Sequence, residues 1–404
     1  MRAELIVRAA TVHDAVDVLR LRRESFPGTS GPAEPGDWDP PPDPSAAYRP
    51  TYLAFRGDRL VAQACDRPFT AWFGGRGVSM SGLASVTVQA EERGRGLLTP
   101  LLVHLLRAAR DRGARIAGLF PTAPAVYRGL GFETVGAYTV AEAPTSALAQ
   151  VRPGGDDRVT LERLERPGWW EAAAVYEAWA PLHDGALERQ GPCFADPAAP
   201  LNGAVGTLAR DRHGVPVGYA VWRRTGGYLG DGGRLEIDDL VALTPAAGRA
   251  LLANLGAHRA VAPLTRITGA GEDLLPQLLP SNDWRFAERI PYQLLLLDVA
   301  GALEARGYPK GLRARLTFEV TGHPLERTDG TYRLDVSDGT ARVRRGALRG
   351  RSLPRLTAAG LARLYAGVPP RSVRLTGQLT GPMTEDETLA LVFGGRAFAI
   401  RDYF

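Results

Sequence analysis

Residues 86–113 read VTVQAEERGRGLLTPLLVHLLRAARDRG. A β-branched run gives way to charges, then to Arg93-Gly94-Arg95-Gly96, then to a leucine-rich stretch of helical period. The change of period predicts a strand, a tight turn and a helix. Glycine reaches left-handed backbone conformations freely and lets a ligand approach the chain closely. Such a turn offers unpaired N–H groups at the positive end of a helix, so it is built to cradle an anion. A nucleoside triphosphate loop needs G-x-x-x-x-G-K-[ST], and no such run follows here. A dinucleotide turn needs a third glycine, but Gly96 is followed by Leu97-Leu98-Thr99. On these residues alone, a tight strand–helix turn without a ligand is the plain alternative.

The segments around the turn predict a mixed α/β domain. After Thr11, an N-cap residue, the stretch from Ile6 to Arg23 carries apolar residues at helical spacing. Residues 28–50 are rich in proline and acids and read as a loop, either a pocket wall or a surface excursion. TYLAFRGDRLVAQACDRPFTAWF predicts two strands about a Gly57-Asp58 turn, and Ser79–Val88 a third. Thr99–Arg112 is a helix closed by Gly113. ARIAGLFPT is a strand, APAVYRGLG a short helix and FETVGAYTVAEA a last strand. We place this domain at 1–148.

A second unit, 149–296, repeats the pattern weakly. RLEIDDLVALTPAAGRALLANLGAHRA again joins a strand to an apolar helix, but TPAAGR stands where the first copy has Arg93 to Gly96. The paired acids of DDLVALTP read as a solvated turn. From residue 297 to 404 the pattern becomes a small α+β domain. GLRARLTFEVTG, GTYRLDVSDGTARVRR and TLALVFGGRAFAI alternate like half-buried strands, and LTAAGLARLYAG is a helix. The last residues, ALVFGGRAFAIRDYF, read as a strand running to the chain end.

Composition excludes several function classes. At 404 residues the chain is too long for one ordinary core. No window is apolar for the ~20 residues a membrane span needs, and the first residues do not read as a secretion signal. Cys65 and Cys193 are the only cysteines, so neither a disulfide framework nor a zinc motif is expected. Cys65 reads as core. A cytoplasmic location without metal is the simplest expectation. The net charge of +5 comes from scattered arginines, with Lys310 the only lysine, as GC-rich codon usage would produce. They form no basic stripe, so nucleic acid is not an expected partner.

The chain resembles the enhanced intracellular survival (Eis-like) branch of the GCN5-related N-acetyltransferases (GNAT). The resemblance rests on VTV…RGRGLL at 86–98 and YRGLGF at 127–132, and on the overall length and domain order. The general GNAT turn is Q/R-x-x-G-x-G/A, whereas the first position here is Glu91. The resemblance implies two tandem acetyltransferase-like domains, the second degenerate, and a C-terminal domain similar to sterol carrier proteins. It also implies a homohexamer and acetyl-coenzyme A as co-substrate, with no metal.

Residue by residue, it implies that Val86, Thr87 and Val88 bind the pantetheine arm through their backbone, as an added strand would. Gly94, Arg95, Gly96, Leu97, Leu98 and Thr99 would cradle the pyrophosphate. Thr122 and Ala123 would lie along the thioester. Tyr127 would be the general acid toward the leaving thiolate, and the terminal carboxylate of Phe404 the general base. The family acetylates amines, aminoglycosides among them. Glu24 and Trp38, with Asp37 and Asp39, would then wall an acidic acceptor pocket, and Phe120 would make it more apolar. Three other readings compete: acetylation of protein lysines, an apolar-ligand carrier built on the C-terminal domain, and a non-catalytic acetyl-coenzyme A sensor.

Overall fold

The computed structural model describes residues 4–26, 49–152, 159–227, 232–269, 275–346 and 352–404. The chain divides into two compact units. One comprises residues 1–135, 292–395 and Phe404; the other comprises 136–291 and 396–403.

The first unit opens on β1 (Leu5–Ala9), α1 (Ala15–Ser25), β2 (Thr51–Arg56), β3 (Arg59–Phe73) and β4 (Arg76–Val88). It continues with α2 (Leu98–Asp111), β5 (Ile116–Leu119), α3 (Pro124–Arg128) and the start of β6 (Glu133–Pro144). The helical spacing predicts that Ile6 heads a helical stretch. Instead Leu5–Ala9 pairs antiparallel with Tyr52–Arg56, and the helix begins only at Ala15. Five residues are too few for their own period to outweigh that of the helix that follows.

Helix α2 shows why its sequence folds as it does. Leu101, Leu102, Leu105, Leu106 and Ala109 recur at helical spacing and are all fully buried against the sheet. Each leucine contributes about 1.5–3 kcal/mol. Gly113, at φ 101°, ends the helix. Arg112 Nη1 reaches buried Asp66 on β3 at 2.6 Å, and Ser81 Oγ donates to the same carboxylate at 2.7 Å.

The second unit holds the rest of β6, α4 (Thr145–Leu148), β7 (Thr160–Leu164), α5 (Trp169–Trp179), β8 (Val205–Arg210) and β9 (Pro216–Thr225). Next come β10 (Arg234–Ala242), α6 (Pro245–Gly256), β11 (Leu264–Thr268), α7 (Leu275–Leu278) and β12 (Arg285–Leu296). From Tyr292 onward β12 belongs to the first unit. Its strands run β6-β11-β10-β9-β8-β7, and those of the first unit β1-β2-β3-β4-β5-β12. Helix α6 is the counterpart of α2 with one difference. Thr244 Oγ1 accepts from Ala247 N at 3.1 Å and so caps the helix start. The second copy lacks the glycine turn and also ties down one of the N–H groups an anion would use.

The acids read as a solvated turn need correction. Asp239 is only 4% exposed. It accepts from Arg189 at 2.5 Å, from Arg401 at 2.9 Å and from Tyr219 Oη at 2.6 Å. Burial would raise its pKa, but the two arginines outweigh this and hold the carboxyl below the usual range. Arg189 also pairs with Asp402 at 3.0 Å, and Arg401 lies over the Trp179 ring at 4.4 Å. Residues 396–403 are thereby bound into the second unit, with backbone bonds from Asp184 N to Ala397 O and from Ala399 N to Asp184 O. Asp238 is the acid nearer solvent, paired with Arg223 at 2.5 Å.

The C-terminal part of the first unit contains α8 (Val299–Ala305), β13 (Ala314–Thr321), β14 (Gly330–Ser337), β15 (Thr340–Arg345) and β16 (Arg355–Thr357). It ends with α9 (Ala358–Tyr365), α10 (Pro370–Leu375), β17 (Leu379–Thr380) and α11 (Asp386–Phe393). Its sheet runs β15-β14-β13-β16-β17. The segment TLALVFGGRAFAI is not a strand. Asp386–Phe393 is helical, with Leu389, Val392 and Phe393 buried at i, i+3 and i+4. Asp386 and Glu387 suit the first turn, and Arg374 clamps Asp386 through two bonds of 2.7 Å. The interior also holds Arg306, 2% exposed. It donates to Tyr365 O at 2.6 Å and lies 4.8 Å from the Tyr365 ring and 5.2 Å from that of Phe393.

Candidate active site

The glycine turn takes the form its sequence requires. Gly94 and Gly96 sit at φ 74° and 73°, a region that strains any residue with a Cβ. A Cβ on either would meet nothing within 4 Å, so backbone conformation, not crowding, demands glycine, and the face beside the turn is open. No side chain caps the start of α2, so its first N–H groups point toward that face. Leu97 is buried and contributes only its backbone there, whereas Arg95 and Thr99 are exposed.

Strand β4 bends just before the turn. It pairs parallel with β5 only at Met80↔Ile116, Ser81↔Ala117 and Gly82↔Gly118. Its register with β3 jumps from Cys65↔Ala84 to Gln63↔Thr87, so Ser85 and Val86 oppose the single residue Ala64. Ser85 stands at φ 50°, the strained position of this bulge. Beyond Gly82 the two strands part, and the β5-facing edge of Val86, Thr87 and Val88 has no ladder partner among the described residues. A pantetheine amide fits such an edge as an extra strand would. One acceptor on this stretch is partly used, since Arg93 Nε donates to Val88 O at 3.3 Å. Thr87 Oγ1 and both amide atoms of Gln63 opposite are buried without hydrogen-bond partners among the described residues.

Tyr127 lies in α3 and is 6% exposed. Pro124 at the helix start and the loop of Thr122 and Ala123, both exposed, lead into it from β5. Phe132 packs edge-on at 6.3 Å between ring centroids. Among the described residues the Tyr127 hydroxyl has no hydrogen-bond partner. Burial pushes its pKa up to about 12, so at neutral pH it is a phenol with a proton to give.

Phe404 packs within the first unit on the face of β3 and β4 that carries α1. Its ring lies 4.9 Å from Phe69, 5.2 Å from Phe120 and 6.3 Å from Tyr292 between centroids. Gly82 makes room for it: a Cβ there would come within 2.8 Å of Phe404 Cε2. Gly118 makes room for Tyr292 in the same way. Among the described residues no cation pairs with the terminal carboxylate.

Phe120 is buried and belongs to this aromatic wall. Glu24 is exposed near the end of α1, with Arg20 Nε 4.0 Å away. Trp38, Asp37 and Asp39 lie outside the described residues. Cys65 is core, as its sequence suggests, and burial pushes its thiol up against the pull of Thr51, Arg67 and Arg22. Sequence reasoning missed Phe69, Tyr292 and Gln63. Tyr292 carries no local signal, because it reaches the wall only through the pairing of β12 with β5. No cluster of three potential metal ligands occurs among the described residues, and none of their helices is long and apolar enough to cross a membrane.

Comparison with known proteins agrees with this geometry. Residues 6–135 and 163–295 each match an acetyltransferase (GNAT) domain, and 299–399 match a sterol carrier protein domain. An uncharacterized N-acetyltransferase of Streptomyces griseus is 30% identical over 347 residues, covering 78% of this chain and 79% of its own. The GCN5-related N-acetyltransferase of Kribbella flavida is 28% identical with a TM-score of 0.82, over 99% of this chain and 98% of its own. That of Anabaena variabilis is 25% identical with a TM-score of 0.85, over 99% and 100%. Eis1 of Mycobacterium abscessus shares the fold, with a TM-score of 0.75 at 20% identity over 99% and 100%. With an open glycine turn, a split pair of strands and this likeness along its length, the chain is an acetyl-coenzyme A-dependent acetyltransferase of the GCN5-related N-acetyltransferase family, with two GNAT domains and a sterol carrier protein-like domain.

Proposed function

We propose that the first GNAT domain transfers the acetyl group to a primary amine of a small acceptor, with aminoglycosides the first class to test. The observation that carries this reading is Phe404. Its ring is packed between Phe69, Phe120 and Tyr292 beside the split strands. A protonated amine cannot attack a thioester. The Phe404 carboxylate takes that proton, directly or through a water. The nitrogen then bonds to the acetyl carbon, the C–S bond breaks as Tyr127 Oη gives its proton to the departing sulfur, and the second proton lost by the nitrogen passes through water to restore the Tyr127 phenol. Backbone groups of Gly94–Thr99 and of the β4 edge hold the coenzyme. The aromatic wall suits an ammonium group before it is deprotonated.

The interior of the C-terminal domain supports catalysis over lipid carriage. Buried Arg306 among Tyr308, Tyr365 and Phe393 occupies that interior and is a poor neighbour for an apolar ligand. The test is coenzyme A release with aminoglycosides, aryl-alkyl monoamines and lysine peptides, with product masses counting the acetyl groups. Turnover is expected on small amines. Turnover on lysine peptides alone would overturn the small-acceptor reading.

A further inference from the structure

Glu92 is 3% exposed, although it stands in a charged turn. Its Oε1 accepts from Arg59 at 2.5 Å, and its Oε2 accepts from Arg56 at 2.7 Å and from Arg95 at 3.2 Å. One buried carboxylate thus gathers three guanidinium groups, two of them from the β2–β3 hairpin. The exposed acids nearby, Asp58 and Glu91, pair with none of these among the described residues. The cluster is therefore net positive and borders the open face of the glycine turn.

The exposures of the three arginines separate their roles. The Arg56 side chain is 20% exposed and forms the inner member. Those of Arg59 and Arg95 are 52% and 50% exposed, and each gives Glu92 a single nitrogen. A guanidinium has five N–H donors, so both keep most of theirs facing outward. Coenzyme A carries two anionic groups. The pyrophosphate matches the backbone N–H groups of the turn. The 3′-phosphate is a terminal phosphomonoester, and two half-exposed arginines match it best.

We propose that Arg59 and Arg95, held in place by Glu92, bind the 3′-phosphate of coenzyme A and set a preference for the full coenzyme over its 3′-dephospho form. Glu92 is the positioning residue. The proposal rests on the reading of Gly94–Thr99 as the pyrophosphate cradle.

The test is calorimetric affinity for coenzyme A and for 3′-dephospho-coenzyme A at low ionic strength. The intact protein is expected to prefer coenzyme A by about tenfold, the worth of one charge-assisted contact. Arg59→Ala is expected to lose most of that preference by weakening coenzyme A alone, and Arg59→Lys to keep part of it. If Arg59→Ala weakens both ligands equally, or neither, the 3′-phosphate assignment is overturned and the cradle stands. Gly96→Val, with its melting temperature checked, is expected to lose both ligands. If it binds both as the intact protein does, cradle and proposal fall together.

Discussion

Tyr127→Phe is expected to lower kcat by about 100-fold while leaving KM for acetyl-coenzyme A nearly unchanged. A general acid positioned on a leaving group contributes about 10²–10⁴ in rate. The lower bound applies here, because a thiolate is already a tolerable leaving group. The substitution removes one oxygen from a buried ring and leaves the Phe132 contact in place, so packing is preserved. The burial that holds the hydroxyl near 12 also fixes the pH response. The phenol stays protonated throughout the working range, so Tyr127 produces no fall in rate between neutrality and pH about 10. Stopped-flow and steady-state kinetics on the purified variant read both quantities. A parallel rise in KM would instead mark Tyr127 as a wall of the thioester channel.

Asp239→Ala carries the largest expected effect on stability. The substitution leaves Arg401, 2% exposed at its side chain, without a carboxylate, and strips Arg189 of one of its two. Breaking a buried ion pair from one side costs about 3–5 kcal/mol, because the remaining charge stays desolvated. The denaturation midpoint of the second unit is expected to fall accordingly. Protease is expected to gain access to residues 396–403, which Arg401 and Asp402 bind into that unit. Replacing Arg401 by Met in the same chain is expected to recover a large part of the loss, because the stranded charge is then gone. A loss below 1 kcal/mol in Asp239→Ala would show that the network is solvated in solution.

These residues also show where sequence reasoning ran out. The turn at 93–96 was legible because its chemistry is local: left-handed glycines, a strand before and an apolar helix after. The core stripe of α2 was legible for the same reason. Asp239 was not, because its partners lie at positions 189, 219 and 401, and a pair of acids before an apolar run gives no hint of distant arginines. Leu5–Ala9 and Asp386–Phe393 were misread because short apolar runs fit both periods, and strand pairing or an arginine clamp decides between them. The aromatic wall was not legible. The family resemblance named Phe404 for its carboxylate and Phe120 as an apolar pocket residue, but neither as part of an aromatic wall, and Phe69 and Tyr292 arrive by sheet register. Glu92 and its hairpin arginines were hidden in the same way, although each is visible as a charge.

The role of the Phe404 carboxylate is decided by the rate of coenzyme A release by this chain and by a chain extended a few residues past Phe404, on the same amine. Extension leaves the Phe404 ring able to pack and removes only its carboxylate, replacing it by a peptide bond. Acetyl-coenzyme A is expected still to bind the extended chain while turnover falls about 100-fold, the worth of a positioned base. Equal turnover by both chains would contradict that role and move the base to another group.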